Sequence, residues 1–275
     1  MHLAAAHVFP VKSLLGFSAA SIPVDHRGLA GDRRFLVVSA SSGEFLTQRS
    51  FPAMTQLTGR FTLRGSLSLH HVSGSSCEVP LPPGSAPTRR VRVWRDEVIG
   101  ADCGDPAAAF LSAHLHAEVR LVHAGRDYQR PFAGSGDQPS APDTLGFADA
   151  APILLASEAS LDALNERLTP RGLSPVTMDR FRPNLILRDC PAFAEDSLHR
   201  FRIGGVSFRS IGPCARCVVI TTDQATGERT PEILSTLAEF RRDPHTPSHV
   251  NFGIHAVATS GPGICSVGDA VVRLD

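Results

Sequence analysis

Nowhere in this chain does an apolar run reach the roughly 18 residues that a bilayer-spanning helix needs, so the sequence offers no transmembrane segment. Its opening, MHLAAAHVFPVKS, lacks the basic start of a secretory signal, and His7 and Pro10 break its apolar part. Charge of one sign is missing as well: 27 Lys and Arg stand against 27 Asp and Glu. No global field then points to nucleic acid, an anionic membrane or an acidic partner, and any anion site has to be local. Cysteine is sparse, with six in 275 residues at positions 77, 103, 190, 214, 217 and 265. That argues against a secreted disulfide scaffold and for a reducing, cytoplasmic setting. There is no internal repeat and no low-complexity tract.

What is present suits a sizeable core. Hydrophobic residues make up 42% and charged residues 20%, enough for one large domain or two small ones. Segments 3–9, 35–40, 58–72 and 89–94 read as strands rich in Val, Leu and Phe, separated by Gly, Ser and Pro. Phe61, Leu63, Leu67 and Leu69 fall on one face of 58–72, and Val91 and Val93 alternate with Arg90 and Arg92. Segments 35–40 and 44–47 form a hairpin across Ser41-Ser42-Gly43. Asp105-Pro106 opens a short helix with an acidic cap. Residues 127–148 form a long loop, a length that is usually functional or disordered. Pro152–Ala156 is a strand, after which Ser157 caps a helix with Leu161, Leu164 and Leu168 on one face. Strands follow at 184–188, 205–211 and 216–222; Thr230-Pro231-Glu232 starts a helix carrying Ile233, Leu237 and Phe240; strands at 250–257 and 270–274 close the chain. Many short strands with only three helices predict a mainly β protein with peripheral helices, a β-barrel architecture in two lobes.

The sharpest local feature is Pro213-Cys214-Ala215-Arg216-Cys217. Structural zinc would want a second such pair, and none exists; His199 and His245 lack ligand spacing. Thioredoxin-type redox wants the pair at the start of a helix, whereas VVITT follows here and reads as a strand. Two buried structural cysteines remain one reading. The other is a single thiolate ligand to a soft metal whose remaining ligands belong to a cofactor.

Polar groups gather at several strand ends. Lys12 and Ser13 follow the first strand, where an ammonium and a hydroxyl suit a phosphate. Gly28-Leu29-Ala30-Gly31-Asp32-Arg33-Arg34 places an acid and two arginines after a glycine-rich turn, Thr47-Gln48-Arg49 ends the hairpin, and Arg182-Pro183-Asn184 stands at the mouth of a strand. Singly each reads as a surface ion pair or a solvated charge; together they suit a polyanionic heterocyclic cofactor.

The segments VKS, GLAGDRRF, LTQR, DAAP, RFRPNLIL, FAED, CARCVVITTD..TG, L..FRR, FG and VGDAV occur in the order seen in MOSC proteins, named for the C-terminal domain of molybdenum-cofactor sulfurase. Over essentially its whole length the chain resembles the subgroup with an N-terminal MOSC β-barrel, which includes the mitochondrial amidoxime-reducing component and its bacterial relatives. The resemblance implies a MOSC-type β-barrel plus an N-terminal β-barrel-like domain, dividing at residues 1–115 and 116–275.

It also implies a molybdenum cofactor, molybdopterin with Mo, whose metal ligand falls on Cys217, with Cys214 an adjacent non-ligating thiol. Lys12 and Ser13 match the residues holding the phosphate and pterin. Arg33, Arg34, Arg182, Asn184 and Arg216 match further cofactor contacts. Asp149-Ala150-Ala151-Pro152 departs from the mitochondrial relatives, which carry hydroxyls after the Asp; here only Asp149 and backbone groups are left. Asp149, the Tyr128–Phe132 loop and the His245–Asn251 loop are candidates for the pocket rim, and Asp149 joins Cys217 as a catalytic candidate. The implied reaction is the two-electron reduction of a small N-hydroxylated compound: a hydroxylamine, an amidoxime or an N-hydroxylated base. Some bacterial relatives continue into a plant-type [2Fe–2S] domain, but this sequence has no C-x4-C-x2-C spacing. Electrons are therefore expected from a separate ferredoxin- or cytochrome-type donor with its reductase. The alternative is a carrier of cofactor or sulfur without its own turnover; 275 residues leave no room for a sulfurase's pyridoxal-phosphate domain. A zinc or disulfide CxxC interaction protein is the third reading.

Overall fold

The computed structural model describes residues 1–25, 27–125, 128–130 and 145–274. Its largest sheet has eight strands in the order Val271–Arg273, Arg200–Ile203, Val206–Ala215, Asn251–Ala258, Ile153–Ser157, Leu185–Arg188, His2–Val8, Phe17–Ala19. All its neighbours are antiparallel except Ile153–Ser157 beside Leu185–Arg188. A parallel pair needs a crossover, and α1 of the C-terminal half, Glu158–Leu168, supplies it. Alternation buries Leu3, Ala6, Val8, Leu155, Leu185, Phe201, Phe208 and Ile254 in one core. The first two strands thus complete a sheet built otherwise from the last 125 residues. Gly263–Ser266 in turn pairs with Ser21–Asp25, which pairs with Gly28–Leu29.

A four-stranded sheet (Phe35–Ser39, Val119–His123, Asp96–Asp102, Thr88–Val93) and a three-stranded one (Leu57–Phe61, Leu67–His71, Ser76–Val79) form the other lobe. The helix Asp105–Leu115 buries Ala107, Leu111 and Leu115 against them. The helix Glu158–Leu168 and a third, Glu232–Arg241, cover the large sheet through Leu164, Leu168, Ile233, Leu237 and Phe252. The observed class is mainly β with peripheral helices, as the sequence predicts. Ser157 caps its helix as expected, its side chain accepting from the Ser160 N–H.

Three local expectations are corrected. Segment 58–72 is a hairpin instead of one strand: Thr62 N–H donates to Ser66 O, Gly65 takes φ +83°, and Leu63 sits fully exposed on the turn. The helix at 105 is capped by Gly104, with Asp105 inside its first turn and paired to Arg120. VVITT is not a strand. The strand before it continues to Ala215, where its last partner is Asn251. Beyond it Arg216 N–H still donates to Val250 O at 2.7 Å, after which Val218–Thr221 closes as a 3-10 turn that buries Ile220 and Thr221, and the Thr221 hydroxyl donates to Val218 O at 2.7 Å. Missing ladder partners outweigh β-propensity here.

The same strand is irregular between Ser210 and Gly212 and between Pro213 and Ala215. Such bulges bend a strand and re-aim its side chains, and Cys214 lies within the second. Its partner carries Gly253 at φ +74°, where an added Cβ would stand 2.6 Å from Leu155 O. Gly253→Ala is therefore expected to destabilise the protein by about 1–3 kcal/mol, from left-handed strain and the clash. The midpoint of urea unfolding measures it; an unchanged midpoint would show that the two strands can part without cost.

Candidate functional site

Where the two lobes meet, a cleft of about 220 Å³ is lined by Lys12, Ser13, Arg33, Gln48, Arg49 and Trp94 from the first lobe. Ala148–Ala151, Arg182, Asn184, Cys214–Cys217 and His255 line it from the second. Among the described residues seven non-glycine residues have positive φ, and four of them (Ser13, Arg33, Trp94 and Arg182) line this cleft. Each costs about 1–2 kcal/mol in an L-residue. Such strain persists where surrounding structure enforces it and clusters at functional sites.

The cleft is rich in cations. Lys12, Arg33, Arg49, Arg182 and Arg216 face one carboxylate, Asp149, among the described lining residues. Lys12 is buried at the end of the first strand, where its ammonium donates to Phe147 O at 3.0 Å and to Asp149 Oδ1. Burial pushes it below the ordinary lysine value despite the pull of Asp149. Arg33 and Arg182 both stack on Phe9, at 4.6 and 4.4 Å from the ring centroid. Asp32, itself bonded to Phe9 N–H at 2.8 Å, takes Arg33 at 2.6 Å. Burial first, then the Arg33 charge, push Arg182 down to about 9.

Carbonyls hold these arginines in place: Arg182 donates to Leu14 O, Arg33 to Arg182 O and Arg216 to Phe181 O. One Nη of Arg182 and the Nε of Arg216 are buried with no partner. Unsatisfied buried donors cost about 1–3 kcal/mol each, and an anion in the cleft would relieve that cost. Asn184 serves as a brace. Its Oδ1 accepts from Arg33 at 2.8 Å and from Leu154 N–H at 3.1 Å, and its Nδ2 donates to His7 O.

The cysteines close one end. Cys217 is half-buried, and Arg49 donates to its Sγ at 3.1 Å. Cys214 is buried, with Arg216 donating to its sulfur at 3.0 Å. Burial alone would raise this thiol; the Arg216 charge and His255 overcome it and bring it to about 7. At the mouth Asp149 accepts from Trp94 Nε1 at 2.8 Å as well as from Lys12. Desolvation would raise its carboxyl, but the Lys12 charge and these bonds hold it well below the carboxylate range.

The structure thus brings together Lys12, Ser13, Arg33, Asp149, Arg182, Asn184, Arg216 and Cys217. Arg34 is the exception: it is buried behind the turn with its guanidinium on Asp25 at 3.1 Å, away from the cleft. Arg33 turns toward Asn184 and the cleft, whereas Arg34 turns the other way, onto Asp25. Among the described residues of the two expected rim loops, none lines the cleft. Tyr128 is buried against Phe147, Arg130 lies behind the wall on Asp96 and Ala148 O, and residues 131–132 fall outside the described residues. Residues 245–251 close on Asp243 instead. His255 and Trp94 were missed by sequence reasoning. His255 is one of 12 histidines with no motif around it, whereas Trp94 is the only tryptophan, at the turn after the Arg-rich strand Thr88–Val93.

The family described as MOSC N-terminal beta barrel domain matches residues 1–118, and the one described as MOSC domain matches residues 142–272. Mitochondrial amidoxime-reducing component 1 of Xenopus laevis is 31% identical across 97% of this chain and 80% of that protein. The Mus musculus protein of the same name is 33% identical with the same coverage. Molybdenum cofactor sulfurase of Danio rerio is 31% identical across 96% of this chain, which spans 33% of that protein.

The Cys214 thiol carries a pH prediction. Its folded value, about 7, lies below the 9.0 of an ordinary cysteine thiol, so between these the folded state has lost a proton that the unfolded chain keeps. Stability is then expected to rise by about 2 kcal/mol from pH 7 to 9 and to be lost as pH falls through 7. Unfolding by urea at the two pH values should show this increment in the parent and its loss in Cys214→Ser. Equal increments in both proteins would refute it.

Proposed function

The chain belongs to the MOSC family, and from that premise we propose that it is a molybdenum-cofactor-dependent oxidoreductase that reduces N-hydroxylated compounds (hydroxylamines, amidoximes or N-hydroxylated bases) with electrons from a separate donor protein. The observation that carries this reading is the cleft itself: cations in excess, buried donors lacking an acceptor, and a cysteine sulfur at one end. That is the donor set a phosphorylated, soft-metal cofactor requires. Among the described residues no three His, Cys, Asp or Glu side chains gather as a metal cage, so a metal at Cys217 takes its other ligands from elsewhere.

In this reading Lys12 and Ser13 clamp the phosphate, the free Arg182 and Arg216 N–H groups take the remaining acceptors, and Arg33, braced by Asn184, fixes their spacing. Cys217 provides the one protein ligand. When bound, the cofactor would supply the two-electron redox change. Asp149, ionised at the mouth, orients the nitrogen of an incoming N–OH group. The 275 residues carry no plant-type iron–sulfur spacing, haem-attachment pair or flavin fingerprint, so the electrons come from a ferredoxin- or cytochrome-type donor with its reductase. The likeness to sulfurases favours a second reading, a carrier of cofactor or sulfur without its own turnover.

Expression in a host that makes the cofactor tests both readings. One molybdenum per chain is expected, lost in Cys217→Ser and largely kept in Cys214→Ser. Lys12→Ala and Arg182→Ala should purify folded but cofactor-poor, since charge-assisted bonds to phosphate are about twice as strong as neutral ones. Full occupancy in both would make these ordinary buried charges.

The molybdenum-replete protein should turn over hydroxylamine-type substrates with a chemical reductant or a donor protein and its reductase, and be inert with NADH alone. Turnover with NADH as the only addition would sink the separate donor. A molybdenum-replete protein inert with every reductant would be a carrier.

A further inference from the structure

The residue that touches the Cys217 sulfur comes from the opposite lobe. Arg49 follows the first lobe's hairpin, donates to Sγ at 3.1 Å, and lies with its guanidinium 4.8 Å from the centroid of the Trp94 ring. Trp94 is held in turn. Its Nε1 donates to Asp149 at 2.8 Å, its ring edge meets Phe45 at 5.1 Å, and its backbone takes φ +59° in the turn between Thr88–Val93 and Asp96–Asp102. A large aromatic in the left-handed region, with its side chain 44% exposed, is not explained by core packing. Arg49 makes no carboxylate ion pair among the described residues, although the Asp149 charge acts on it; Trp94 and the sulfur are the groups its guanidinium touches.

We propose that Arg49 is a positioning residue for the metal ligand, held on the Cys217 sulfur by Trp94, so that the first lobe sets the donor strength of a thiolate supplied by the second. This rests on the reading of Cys217 as the ligand. A hydrogen bond to a ligating sulfur withdraws electron density from it, and such bonds are among the levers that set a centre's reduction potential. A cation stacked on an aromatic face is attracted by the ring's electrons, which holds the guanidinium at the sulfur instead of in solvent. The contacts form one connected line: Lys12 to Asp149, Asp149 to Trp94, Trp94 to Arg49, and Arg49 to Cys217.

The test is a redox titration of the molybdenum-loaded protein, followed spectroscopically with metal content measured in parallel, in Arg49→Met, Trp94→Leu, Trp94→Phe and the double variant Arg49→Met/Trp94→Leu. Loss of the sulfur bond is expected to move the midpoint to more negative potential in Arg49→Met. Trp94→Leu should move it the same way, and Trp94→Phe less, because it keeps a ring beneath the guanidinium. The double variant should move no further than Arg49→Met alone, since Trp94 acts through Arg49. A parent-like midpoint in either single variant to Met or Leu, or additive shifts in the double, would overturn the proposal.

A metal-free arm uses Trp94 as the sole tryptophan. Quenching of its emission by acrylamide should increase in Arg49→Met, where one ring face is uncovered; unchanged quenching overturns the strut. Molybdenum content and turnover report on the proposed reaction, while midpoint and quenching report on Arg49 and Trp94. Failure of one is thus distinguishable from failure of the other, and in a chain that takes up no metal the quenching arm alone decides.

Discussion

Holding several cations in one cleft with a single facing carboxylate is the constraint on which the rest of this structure depends. Lys12 is almost fully buried, and Arg182 and Arg33 share the Phe9 ring although their charges repel. Buried charge is costly unless hydrogen-bonded. The fold meets that demand with backbone carbonyls, those of Leu14, Phe147, Phe181 and Arg182, beside two carboxylates, Asp149 on Lys12 and Asp32 on Arg33. Carbonyl oxygens anchor Arg182 and Arg216 without neutralising them. The positive potential of the cleft is retained, and part of the donor capacity of Arg182 and Arg216 stays free.

That arrangement explains the concentration of backbone strain. Directing Ser13, Arg33, Trp94 and Arg182 into one space from four separate turns requires the chain to reverse sharply at each, and none of these positions is glycine. Glycine would adopt the conformation readily but would bring no donor or ring. The cost is offset by the neighbouring cores, which fix the flanking strands: Phe35 and Leu14 beside the first lobe's turns, Phe181 and Leu185 beside Arg182.

Interleaving of the lobes makes the shared cleft possible. Because His2–Val8 lies in the large sheet beside Leu185–Arg188, the chain leaves that sheet at Phe9 directly beside Arg182 and Asn184, and Lys12 and Ser13 fall between the lobes. The first lobe then returns Arg33, Arg49 and Trp94 to the same opening. A wall contributed by both lobes couples their relative position to the geometry around Cys217, since Arg49 and the sulfur it bonds are 168 residues apart in sequence.

The sequence by itself determined the β class, the three helices with their buried stripes, and most of the residues that meet in the cleft, because periodicity, caps and ordered short motifs are local properties. Leu164 and Leu168, Ile233 and Leu237, Val91 and Val93 are buried as their spacing requires. Only the tertiary structure decided the rest. Arg33 faces the cleft beside Asn184, and Arg34 turns away onto Asp25. VVITT leaves the sheet after the bond from Arg216 N–H to Val250 O. Leu63 is exposed because a turn interrupts its alternation. Trp94 and His255 reach the site across the lobe boundary, from positions with no motif of their own. For VVITT, Trp94 and His255 the deciding term is a contact between segments distant in the chain, and such contacts leave no local signature for a sequence to display.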